Sequence, residues 1–123
     1  MATFAEDNFG NDGARDYLAM LLARLVAVIT EVVADESRLA LDEDGETMLM
    51  PSVEILALLC ERYDAVPPRP DAVRQWSQKY LDVYDRTIDR LHPKPAYKAA
   101  RRKVIDKTFR WLESLATTYW DRP

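Results

Sequence analysis

Two proline clusters cut the second half of this chain, AVPPRP at residues 65–70 and HPKP at 92–95. Proline has no backbone N–H and disfavours helical geometry in the residue before it, so no helix runs through either cluster. Between them, Asp71 to Leu91 places Val73, Trp76, Tyr80, Val83, Tyr84, Ile88 and Leu91 on one face, close to a seven-residue repeat. After the second cluster, Ala96 to Tyr119 turns Tyr97, Val104, Ile105, Thr108, Trp111, Leu112, Leu115 and Tyr119 to one side. Two helices of about 30 Å joined by so short a connection predict an antiparallel hairpin.

The first half predicts two more helices. Asn11 or Asp12 can cap the first, and Asp16 suits the positive end of its dipole. The run YLAMLLARLVAVITEVVA (17–34) puts Leu18, Leu21, Leu22, Leu25, Val28, Ile29, Val32 and Val33 on one broad face and Ala19, Ala23, Ala27, Thr30 and Ala34 opposite. A helix this apolar all round is central in the core or covered by another chain, so a homodimer contact is expected to break on a polar change at Val26 or Val33. Arg24 and Glu31 inside the run oppose a membrane span, while the β-branched VAVITEVV leaves a strand open as the alternative. Ser52 can cap a helix ending at Tyr63. With 123 residues and three glycines, the expectation is one all-α domain, a single compact bundle of four to five helices. Residues 1–10 form a loosely ordered arm, and a short β-hairpin near 38–50 is the further element the sequence permits.

Charge is unevenly distributed. Residues 1–64 hold 14 acids and 4 bases, residues 65–123 hold 7 acids and 13 bases. Folding can neutralise one half with the other or leave two opposed patches for partners. Asp42, Glu43, Asp44 and Glu46 surround Gly45 as an acidic turn, and Asp82, Asp85 and Asp89 line one strip of the helix at 71–91; together they are the candidate partner-binding acidic patch. A calcium loop with Gly45 at its sixth position would put Ala40 first and Pro51 twelfth, where carboxylates are needed, so the register fails. Lys103, Lys107 and Arg110 form a basic ridge opposite the apolar face of the last helix. Arg101 projects with that apolar face instead and needs a carboxylate or a route to water. Asp12 or Asp16 is its expected partner, a contact that would latch the first helix to the last.

Catalytic chemistry has little to stand on. Cys60 lies in an apolar helical run, the setting of an inert thiol, and cannot form an internal disulfide. His92, the one histidine, sits between Leu91 and Pro93 with no partner at ligand spacing. No glycine-rich phosphate loop, CxxC, HExxH or GxSxG occurs. The reading is therefore not an enzyme, with no metal and no cofactor. The lone cysteine and the absence of a secretory leader point to the cytoplasm. Nucleic acid ranks below a protein partner, because the aromatics beside the basic ridge fall on the core face and the isoelectric point is near 5.0.

Phe9, Asn11, Asp12, Ala14, Asp16, Tyr17 and Leu18 fill the pattern F-x-N-D-x-A-x-D-Y-L. This resembles the N-terminal signature of a family of small bacterial proteins catalogued as domain of unknown function 4259. SVEILALLCERYDAVPPRPDAVRQW is similar to that family's apolar helix, proline-rich turn and helix with an early Trp, and SLATTYW to its close. Where the family has a Trp-Gly and Gly pattern before the Phe, this chain reads MATFAEDNF. The resemblance implies a mainly helical protein and supplies no catalytic residues or substrate. The function expected is a non-enzymatic interaction protein, in its most concrete form an immunity-type protein that neutralises a bacterial toxin through acidic surfaces. The alternatives are a nucleic-acid-associated protein using the basic helix and a self-associating structural protein.

Overall fold

The computed structural model describes residues 5–40 and 43–123. Five α-helices carry the architecture: α1 (Asp12–Val33), α2 (Glu36–Leu39), α3 (Met50–Tyr63), α4 (Pro70–Thr87) and α5 (Pro95–Trp120). A π turn (Gly45–Leu49) leads into α3 and a 3-10 turn (Ile88–Leu91) extends α4. The prolines set the boundaries. Pro70 and Pro95 are the first residues of α4 and α5, where a missing N–H removes no helical hydrogen bond.

The four long helices form a compact bundle in cyclic order α1, α3, α5, α4, so that α1 and α5 stand on opposite corners. Arg15 near the start of α1 reaches Tyr63 at the end of α3, making that pair antiparallel. Glu46 meets Arg101 and Asp64 meets Arg122, so α5 runs parallel to α3. The expected α4–α5 hairpin is antiparallel, bridged by Arg74–Glu113 at one end and Asp85–Arg102 at the other. Ile29, Val32, Leu56, Val73, Tyr80, Ile105, Phe109 and Leu112 fill the centre with almost no exposure, each contributing roughly 1.5–3 kcal/mol by leaving water. Leu91, Tyr97 and Val104, which the periodicity assigns inward, are exposed. The 26-residue α5 outruns the 14-residue α3, and the turn joining it to α4 lies beyond the core.

Several sequence expectations change. The segment VAVITEVV is helical throughout, so the strand alternative falls. Instead of being enclosed, α1 buries Leu18, Leu22, Ile29 and Val32 and leaves Tyr17, Met20, Ala23 and Ala27 exposed; Val26 and Val33 pack against the core. No hairpin forms among the described residues of 38–50. Arg38 and Leu39 belong to α2, capped by the Asp35 side chain, and TML lies in the π turn. Gly45 has no positive φ; it is buried, and a Cβ there would meet the Leu39 carbonyl at 2.9 Å and the Tyr80 ring at 3.1 Å. Close approach explains the glycine, and a turn tip does not. Pro51 explains the π turn: its ring collides with the carbonyl four residues back in an α-helix, and the wider turn relieves this, with Met50 N–H donating to Gly45 O. Ser52 is consequently buried inside α3 and does not cap it.

Candidate functional site

The first motif folds onto the far end of α3. Residues 5–10 close a turn in which Ala5 N–H donates to Gly10 O at 3.1 Å. Asn11 Oδ1 accepts the Ala14 N–H at 2.7 Å, the cap expected of it. The Phe9 ring lies 4.6 Å from that of Tyr63. Arg15 donates to Tyr63 O at 2.7 Å and to Asp64 O at 3.5 Å, placing a cation on the negative end of α3. Asp64 ends that helix in the left-handed region, φ 52°. Its carboxylate accepts two bonds from Arg122, at 2.6 and 3.2 Å, and these hold the Asp64 carboxyl below the usual carboxylate range. One helix end thus ties α1 and the tail of α5 to α3.

Asp12 and Asp16 are both exposed, and neither is the partner of Arg101. Their helix occupies the corner diagonal to α5. Arg101 instead lies 3.6 Å from Glu46 on the π turn, beside the buried Tyr80 phenol, which burial pushes up to about 12. Its Nε is buried without a hydrogen bond. Arg15, the residue that does latch α1, was overlooked in the sequence; the available signal was a base isolated among acids in the first helical turns.

The acidic strip of α4 is neutralised within the fold. Asp82 pairs with Arg86, Asp85 receives a two-pronged contact from Arg102 at 2.8 and 2.9 Å, and Asp89 pairs with Lys98. Arg102 is the main reason the Asp85 carboxyl sits low. Arg86 also bonds Glu36. In the other acidic segment Asp44 holds Arg38 at 2.7 Å and Glu46 faces Arg101, while Glu43 is exposed with no ion pair among the described residues. Asp42 lies outside the described residues. On the basic ridge Lys103 and Lys107 are exposed, and Arg110 pairs with Asp106 at 2.9 Å. Of the aromatics of that helix, Phe109 is buried, Trp120 Nε1 donates to the Pro67 and Pro68 carbonyls beneath the Arg69 guanidinium, and Tyr97 is exposed.

Among the described residues, three ion pairs, Arg86–Glu36, Arg101–Glu46 and Arg122–Asp64, join the acidic half to the basic half. The imbalance therefore persists on the folded surface. Glu54 and Glu61, seven residues apart on α3, are exposed and carry no ion pair among the described residues; Glu43 stands at the start of the same continuous rod.

An open cleft of about 480 Å³ at the end of α3 is lined by Asp7, Phe9, Arg15, Glu61, Arg62 and Tyr63. A more apolar groove of about 470 Å³ runs between α1 and residues 65–68. Cys60 is buried and its thiol is pushed up to about 11 by burial, which suppresses the reactive thiolate. His92 occupies the left-handed position that ends the 3-10 turn, φ 51°. Among the described residues no group of three potential metal ligands converges, and no helix is long and apolar enough to cross a membrane. No family model, no curated protein and no solved structure matches the chain.

Proposed function

We propose that this chain is a non-enzymatic cytoplasmic protein that binds a basic protein partner, in its most specific form an immunity-type protein that covers the basic surface of a bacterial toxin. The observation that carries the reading is the residual charge along α3 and its approach. Glu43, Glu54 and Glu61 are exposed and form no ion pair among the described residues, whereas Asp82, Asp85 and Asp89 are each already paired. A carboxylate with no internal partner keeps its full attraction for an incoming base and gives up no existing bond on binding. The surface this reading uses is that of Glu43, Glu54 and Glu61, with Asp12 and Asp16 of α1 also exposed and without ion pairs among the described residues. The resemblance at residues 9–18 to a family of small bacterial proteins fits this reading without adding a substrate.

The test is capture by cross-linking of the tagged chain, followed by identification of the partner. A basic partner released by moderate salt, and lost when Glu43, Glu54 and Glu61 are changed together to Gln, is the expected result. A partner retained equally by that triple variant contradicts the reading.

A further inference from the structure

The outer face of α1 carries Tyr17, Met20, Arg24, Ala27, Glu31 and Ala34, spaced alternately three and four residues apart and all exposed. This is the spacing of a helix-pairing seam, and nothing in the bundle covers it: Tyr17 is 57% and Met20 46% exposed. The homodimer expected from the sequence was assigned to Val26 and Val33, but those side chains pack inward, so the available seam is a different one.

We infer that this seam binds a second copy of the chain, with the two α1 helices antiparallel about a two-fold axis midway between Arg24 and Ala27. Size and charge on the seam are both self-complementary under that operation. Tyr17 faces Ala34 of the second copy and Arg24 faces its Ala27, so each large side chain meets a small one. Met20 falls level with Glu31 of the second copy. Helical side chains lean toward the N-terminus, which carries the Arg24 guanidinium from its own level toward that of Met20 and hence to Glu31 of the second copy. The symmetry repeats the contact, giving two identical ion pairs directed away from each other. Arg24 has no ion pair among the described residues. Glu31, whose side chain is 74% exposed, holds Arg38 through one oxygen and has the other free to accept. A parallel pairing would stack Arg24 on Arg24 and Glu31 on Glu31, so the seam selects the antiparallel arrangement. The seam lies on a different helix from Glu43, Glu54 and Glu61, and the inference stands independently of the proposed partner.

Sedimentation velocity over a range of concentrations tests it, with circular dichroism to verify folding. The wild-type chain is expected to form a dimer that dissociates on dilution. Arg24→Glu and Glu31→Arg, each placing like charges together at both contacts, are expected to weaken it about tenfold or more. The combined Arg24→Glu, Glu31→Arg variant restores both ion pairs with their signs exchanged and is expected to recover the dimer. A wild-type chain monomeric at every concentration overturns the inference, as does a dimer that tolerates both single changes or one that the combined variant fails to restore.

Discussion

Arg15 shows how one side chain can organise several elements. Its guanidinium satisfies carbonyls that α3 leaves unpaired as it ends, and Phe9 closes over the adjacent Tyr63 ring. Arg15→Met is therefore expected to cost about 1–2 kcal/mol in urea unfolding. Asp12→Asn and Asp16→Asn should each stay within about 0.5 kcal/mol, since both side chains are exposed and unpaired among the described residues. The pairings of Asp64 with Arg122 and Asp85 with Arg102 add a pH dependence. Both carboxyls titrate lower in the folded chain than their ordinary value because a guanidinium bonds the charged form. Such groups contribute stability that is complete above the unfolded value and is lost as pH falls through the lowered folded value. Stability should therefore fall below about pH 4, and the combined Asp64→Asn, Asp85→Asn variant should show a shallower fall in acid urea titrations. The Asn11 cap could be read directly from residue type and position, because capping is local. The partner of Arg101 could not: residues 46 and 101 meet only through the order of helices around the bundle, and sequence periodicity does not specify that order.

At the scale of elements, proline placement made α4 and α5 legible. Pro70 and Pro95 start helices, and the apolar faces between and after them identify Tyr80, Tyr84, Ile105 and Leu112 as core. The segment before α3 was misread because a glycine among acids fits an exposed turn and a buried close contact equally well. Gly45 is the second case, wedged between Leu39 and Tyr80. Gly45→Ala is expected to destabilise the fold by about 1–3 kcal/mol through overpacking, while Glu43→Ala, two residues away and exposed, should be close to neutral. Equal, small effects of the two changes in thermal unfolding would contradict this packing. Pro51→Ala offers a second check, since it removes the reason for the wide turn. Backbone hydrogen exchange of the variant should then show a protected amide at residue 51, where proline has none, because the new donor is one that an α-helix can use.

Across the whole molecule, the division of charge between the two halves of the sequence survives folding. Among the described residues most ion pairs are made within a half, and Lys103 and Lys107 of the ridge, which form none there, stand on α5 while Glu54 and Glu61 stand on α3. Composition reveals the imbalance but cannot show which carboxylates remain available, because pairs such as Asp85–Arg102 depend on two helices lying side by side. In the proposed function, the acids without ion pairs on α3 and its approach form the binding surface. Chemical-shift mapping of the isotope-labelled chain with its captured partner tests that claim most directly. Perturbations centred on Glu43, Glu54 and Glu61 that fade as salt is raised are the expected result. Perturbations centred instead on Asp82, Asp85 and Asp89, or on Lys103 and Lys107, would contradict it.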